Sequence, residues 1–393
     1  MSTASWLEEA MDLRPPGEPS SSPSLTHLAV GEVILSSYVM GPDKEVSKRV
    51  VEECLQRLVA ALAQVHGFPQ PEQGNFAPPT VEWLDWELQL PAMTSGWCGV
   101  FHVLLRAEDA QEGCWWKTEE YKRFARVWTD QVLEAFRVST NVSGVLLDEK
   151  PFYWTIALDT QPAVSWTQEN LEKHQQALTM LVRVRSQDAH CYTERAMRNI
   201  LESNLAFTTE ELQLMSPNTG FIYVAKSRLS KRDGLAYVRR ALVDANALVR
   251  AMRAYIMRYR SETDRRMQTW MQRRVGSGPS RALLKELMHH ARSAAEILRQ
   301  LDELHLRMTR QVGHEQTAFE TLLERYRIGL LVQDLHQHLS QLHSHIGELH
   351  SQLQARQLRW LNFLVVFPAA YQAWKLFQEA WPAISAWIAR LSS

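Results

Sequence analysis

The sequence predicts an α+β protein. An N-terminal ferredoxin-like (split βαβ) domain comes first, followed by a long-helix bundle or coiled-coil domain that ends in a hydrophobic helix. Three observations carry this. Apolar patterns of period 2 and period 3.6 succeed one another up to about residue 158 in the order β-α-β-β-α-β. Some forty residues after Asp233 contain almost no helix breaker. An a/d heptad repeat then leads into the most apolar window of the chain. The expected division is a flexible tail (1–26), the α/β domain (27–165), a helical region with a long basic helix (166–275), a long helix with a heptad seam (276–358) and a hydrophobic segment (359–393).

The tail is set by Pro15, Pro16, Gly17, Pro19 and Pro23 among serines, which support neither helix nor ladder. Residues 33–40 are rich in β-formers and stop at Gly41 and Pro42, as a strand closed by a turn does. Val46, Val50, Leu55, Leu58, Leu62 and Val65 recur at helical spacing, with Asp43 as N-cap and Gly67 and Pro69 as the stop. Over 81–90 the alternation of Val81 and Trp83 resumes out of phase at Trp86 and Leu88, which predicts a strand with a bulge near Leu84 and Asp85. Trp97, Gly99, Phe101, Val103 and Leu105 make a cleaner strand. Thr118 as cap, Glu119 and Glu120 in the first turn, and Tyr121, Phe124, Val127, Trp128 and Val132 on one face predict a second helix, and 152–158 a fourth strand.

Beyond the first domain, Leu171, Ala177, Leu178, Leu181 and Val182 form a helical stripe, and Thr208 with Glu211 reads as a capping box opening a short helix. Residues 220–225 are an island of β-like sequence, an added edge strand on the sheet. Two long helices follow, separated near 276–280, the second with candidate breaks near Gly313 and Gly329.

Charge and cysteine usage narrow the function classes. With 43 basic and 44 acidic residues the net is -1, unlike a uniformly charged binder of nucleic acid or of acidic substrates. The first 225 residues carry about -13, whereas 226–274 hold 14 Lys or Arg against 4 Asp or Glu. Cys54, Cys98, Cys114 and Cys191 have neither disulfide-framework nor zinc spacing and read as reduced thiols of a cytosolic chain. Nine of the 14 Trp precede residue 167, and Trp83, Trp86, Trp97, Trp115 and Trp116 are expected to fill the core or meet a protein partner.

The long basic helix sets Arg239, Arg240, Arg250, Arg253, Arg258, Arg260, Arg265 and Arg266 opposite an apolar face. Three readings stay open: a helix face paired with neighbouring Asp and Glu, an anion or lipid-binding surface, and a nucleic-acid stripe, the last without any recognised nucleic-acid module. Ile328, Val332, Leu335, Leu339, Leu342, Ile346, Leu349 and Leu353, spaced 4, 3, 4, 3, 4, 3, 4, form a helix-interface seam that packs against a helix of this chain or of a second copy. His336, His343 and His350 fall at e positions and His338 and His345 at g. Neighbours seven residues apart lie about 10 Å apart along the axis, so one zinc ion would need a second helix. A pH-tuned interface and plain polar flanks are the other readings.

The window 360–374 sets Trp360, Leu361, Phe363, Leu364, Val365, Val366, Phe367, Tyr371 and Trp374 between Arg359 and Lys375 as candidate membrane-interacting residues. It is short for a span, so docking at a membrane interface and burial against the helical bundle are both open. The motifs of phosphate-loop, dinucleotide, serine-hydrolase and zincin chemistry are missing, no cofactor is expected, and an enzyme is the weaker class.

Within 304–353, Arg307-Met308-Thr309-Arg310, Gly329-Leu330-Leu331 and Asp334 ahead of a heptad-like helix resemble the bacterial conflict-system family associated with caspase-like and TPR-repeat proteins (CATRA). The resemblance implies a non-enzymatic component of bacterial defence that works with a caspase-like protease. The plan of an α/β domain feeding a long helix with an apolar end also resembles the CorA-type transporters, but without their Gly-Met-Asn motif or second spanning segment. The expected place is the cytoplasm, with peripheral docking or insertion at the inner membrane through the C-terminus.

Overall fold

The computed structural model describes residues 25, 27–64, 76–89, 96–109, 113–137, 144–159, 165–183, 193–206, 208–225, 239–277, 281–309 and 314–391. Apart from Leu25, the expected tail over 1–26 lies outside them. The chain is an α+β protein with an N-terminal mixed sheet followed by a helical region. It divides into two compact units, Met1–Arg253 with Leu304–Tyr326, and Ala254–Glu303 with Arg327–Ser393. The expected boundaries after 165, 275 and 358 do not coincide with this division. Strands beyond 165 complete the sheet, and residues up to Arg253 and from Leu304 belong to the unit that contains it.

In the first unit the sheet is built on β1 (His27–Gly41), whose near-continuous apolar sequence suits a strand covered on both faces. β2 (Thr80–Gln89), β3 (Trp97–Arg106), β4 (Cys114–Lys117), β5 (Leu146–Leu147), β6 (Phe152–Asp159), β7 (Leu212–Met215) and β8 (Thr219–Ala225) complete it. The order is β2-β3-β1-β6-β8-β7, antiparallel except for the parallel pair β6 and β8. β4 and β5 pair with the two ends of β1. β1 therefore starts at His27, earlier than the β-formers alone suggest, because β4 gives its first residues ladder partners. The register of β2 against β3 shifts between Trp83 and Glu87, where the expected bulge falls.

Helices α1 (Lys44–Gln64) and α2 (Thr118–Arg137) cover one face. Asp43 caps α1 by accepting the Val46 N–H at 2.8 Å. Thr118 stands at the start of α2, and its hydroxyl donates to the Leu25 carbonyl. Val51, Cys54 and Leu58 of α1 and Tyr121, Phe124, Trp128 and Val132 of α2 form one core with Phe101, Val103 and Tyr153 of the sheet. Trp97 and Trp116 are buried, and Trp83 packs on Phe101 at 5.3 Å, so the Trp cluster serves the core.

Three short helices, α3 (Gln168–Lys173), α4 (Gln175–Val182) and α5 (Glu194–Leu201), precede the β7–β8 hairpin. Thr208 and Glu211 open no helix. The Glu211 N–H donates to the Thr208 carbonyl in a turn that feeds β7, because ladder bonds with β8 outweigh a local cap. β8 is an inner strand between β6 and β7, not the expected edge strand. Gly220 is required there, since a Cβ would lie 2.2 Å from the Trp154 ring.

The other face of the sheet meets a π-helical turn (Arg239–Asp244), the start of α6 (Ala245–Ser277) and α8 (His314–Arg325). α8 packs on the π-helical turn, and the Tyr326 hydroxyl donates to Asn246 at 2.7 Å.

The second unit holds the remainder of α6, α7 (Arg281–Thr309) up to Glu303, and α9 (Ile328–Leu391), one helix of 64 residues. At 1.5 Å per residue α9 is roughly 96 Å long. The expected break near Gly329 sits at Arg327, whose φ of 54° is left-handed. Gly313 lies outside the described residues.

Candidate functional site

The distal half of α9 is the most unusual surface of the second unit. Every residue from 356 to 381 is exposed, including all nine candidates Trp360, Leu361, Phe363, Leu364, Val365, Val366, Phe367, Tyr371 and Trp374. Leu358, Leu376, Phe377 and Trp381 extend the surface, and its large apolar side chains are 47–69% exposed. The alternative of burial against the helical bundle is not what the described residues show, since these side chains stay exposed among them; Arg281 at the start of α7 lines a cavity with Trp360, Leu361 and Leu364. From Trp360 to Tyr371 the polar residue is Asn362, so the helix is apolar nearly all round, a pattern that demands a non-aqueous neighbour. Rings along it touch at helical spacing, Phe363 with Phe367 at 5.4 Å and Phe377 with Trp381 at 5.2 Å. Among the described residues, no helix is long and apolar enough to cross a membrane.

The proximal half of the same helix is packed. Leu335, Leu342 and Leu349, one heptad apart, are buried, while Leu339, Ile346 and Leu353 are half-buried. Leu342 and Leu349 cluster with Leu287 and Ala291 of α7, joined by Met267 of α6. The seam's partner over this stretch is thus within the chain.

The histidine rows separate under this packing. His336, His343 and His350 are exposed and His345 is half-buried, whereas His338 is buried edge-on to the Tyr259 ring at 6.2 Å, with Asp264 3.9 Å away. His290, unmarked by any sequence pattern, is buried nearby, and its carbonyl accepts the Tyr259 hydroxyl at 2.7 Å. Burial, reinforced by Arg266, His289 and His338, lowers the His290 imidazole to about 4. His338 is lowered too, by burial first and Arg260 second, against the pull of Asp264 and Asp334. Among the described residues, no group of three or more His, Cys, Asp or Glu is placed to hold a metal ion.

The arginines do not form one surface. Arg239 donates to Glu82 at 2.8 Å and lies 3.5 Å from Glu32, a carboxylate inside the sheet that also accepts from Arg106 at 2.6 Å. Burial raises the Glu82 carboxyl, but the Arg239 hydrogen bond and the charges of Arg239 and Arg106 hold it below its ordinary value. Arg250 donates to Asp148 at 2.9 Å and lies over the Phe152 ring. In the second unit Arg260 pairs with Asp334, and Arg266 donates to Glu262 at 2.6 Å. Arg258 is half-buried; Arg253 and Arg265 are exposed; the Arg240 side chain lies outside the described residues. Arg239, Arg250, Arg260 and Arg266 are thus each engaged by a carboxylate.

Sequence reasoning missed the polar layer on the second face of the sheet, where His102 Nε2 lies 3.0 Å from Asp244 beside the Glu32 pair. Its signal was Glu32 itself, a charge within an otherwise apolar strand. A cavity of about 590 Å³ in the first unit is lined by Leu35, Phe101 and Phe136 with Asp130 and Glu134, and no His or Cys lines it. Cys54, Cys98 and Cys114 are buried, and burial pushes the Cys98 thiol up, which suits an inert thiol. Comparisons with family models, curated proteins and solved structures find no match to this chain.

Proposed function

We propose that this protein is a non-enzymatic effector or adaptor: a folded α+β body presenting the distal half of α9 as an apolar arm. The arm docks into the interfacial layer of an anionic membrane. The observation that carries the reading is the exposed, nearly all-apolar helix over 360–374. Arg356, Arg359 and Lys375 lie at its edges, where headgroup phosphates would meet them, and Trp360 and Trp374 suit the interface. The CATRA resemblance over 304–353 supports a role in bacterial defence beside a caspase-like protease. The strand order β2-β3-β1-β6, with α1 and α2 in the two crossovers, supports reading the first domain as ferredoxin-like, extended by the β7–β8 hairpin.

Flotation with vesicles of phosphatidylcholine and phosphatidylglycerol tests the reading, comparing the full chain with one ending at Gln357. The full chain should float and the shortened one stay at the bottom, folded, since residues 358–381 of the removed segment are exposed. A full chain that stays down with the shortened one would return the arm to protein contacts.

A further inference from the structure

The seam of α9 does not stop where its in-chain packing stops. Continued at the same 3,4 spacing beyond Leu353, it passes through Arg356, Trp360, Phe363, Phe367, Ala370, Trp374, Phe377, Trp381, Ile384, Ile388 and Leu391. Arg356 is the one polar position in that continuation, and it falls where the buried part of the helix gives way to the exposed part. A repeat of 3.5 is what helix–helix contact requires. A solitary straight helix of 3.6 residues per turn lets such a stripe drift about 20° per heptad and gains nothing by keeping it. A lipid-facing surface needs apolarity but no heptad.

We infer that the distal seam of α9, from Trp360 to Trp381, is an assembly interface on which the same segment of a second copy of this chain packs. Continuity identifies the occupant, since the row that binds α7 through Leu342 and Leu349 runs on unoccupied along the same helix. The area suffices: six seam aromatics that are 47–63% exposed and can each bury 150–250 Å² offer of the order of 600 Å² per copy. That is most of the roughly 800 Å² per partner of a standard interface. The flanks permit it as well. From 364 to 380 the e and g positions are Leu364, Val366, Tyr371, Ala373, Gln378 and Ala380, with no charge to repel a neighbour. This inference draws on the repeat along the helix where the membrane reading draws on its apolarity; Trp360 and Trp374 enter both, while Leu361, Val365 and Leu376 lie off the seam.

The test is the mass of the full chain in detergent-free, lipid-free buffer, by light scattering and sedimentation over a concentration series. Two triple variants are compared with it: Phe363→Glu, Phe367→Glu and Phe377→Glu on the seam, and Leu361→Glu, Val365→Glu and Leu376→Glu off it. Both triples remove three exposed apolar residues and add three charges, and circular dichroism confirms that each is folded. The wild type and the off-seam triple should be defined oligomers. The seam triple should be a monomer of 45.3 kDa, its association weakened at least 100-fold, as expected from three aromatic anchors at about tenfold or more each. A monomeric wild type that binds vesicles would make lipid the occupant and overturn the inference. Equal dissociation of both triples, or loss in the off-seam triple alone, would overturn it too.

Discussion

Two halves of one helix share a repeat and differ in everything around it. Along residues 328–353 of α9 the seam leucines Leu335, Leu342 and Leu349 are buried, the last two against α7, while along 356–381 the seam aromatics are exposed. The proximal half carries buried seam residues; the distal half is an exposed apolar surface. Apolar periodicity states that a helix must be covered, and the structure states which part already is.

Substitution along the repeat gives the largest expected contrast. Leu342→Ala should lower unfolding free energy by about 2–5 kcal/mol, whereas Phe367→Ala should stay within about 0.5 kcal/mol in the monomer. Denaturant titration of a non-associating background checks both, and a matching loss at Phe367 would erase the distinction between the halves. The basic stretch offers a parallel contrast. Arg239→Ala strips a partner from the buried Glu32 and from Glu82, at a cost of about 3 kcal/mol. Arg265→Ala, on an exposed side chain, should be near neutral in the same titration.

Acidification should loosen the proximal half and spare the distal one. His290, lowered to about 4, is neutral in the folded chain between pH 6.5 and 4, while its unfolded form binds a proton there. Stability is therefore full above about pH 6.5 and falls as pH drops towards 4, by an order of 2–3 kcal/mol. His338, lowered in the same direction, adds to the loss, and thermal melts of wild type against His290→Gln check it. The smallest effect belongs to the Arg260–Asp334 pair, with Asp334 half in solvent: Asp334→Asn should cost about 0.2–1 kcal/mol.

How much of this was legible in the sequence follows from range. The four expected strands, the bulge at 84–85 and helices α1 and α2 rest on local alternation and caps, and they stand close to where the pattern set them. β4 and β5 are too short to show a period, and the inner place of β8 depends on pairing with β6 far along the chain. The second face of the sheet, with Arg239 on Glu32 and His102 beside Asp244, joins residues 140 or more positions apart, and no window shows that. Ion pairing of the arginines was one of three open readings, and Arg239 with Glu82 and Arg250 with Asp148 are pairs of that kind. The seam was legible to Leu353, but Arg356 interrupts it, and the aromatics beyond look like an apolar window until the helix is seen to be continuous.

Amide hydrogen exchange along α9 of the dilute, lipid-free chain tests the central claim most directly. Amides over 335–349 should be strongly protected and those over 360–381 should exchange orders of magnitude faster, gaining protection on assembly or on vesicles. Equal protection of both halves in the dilute monomer would contradict the account, because it would mean that the distal arm is already folded into the chain.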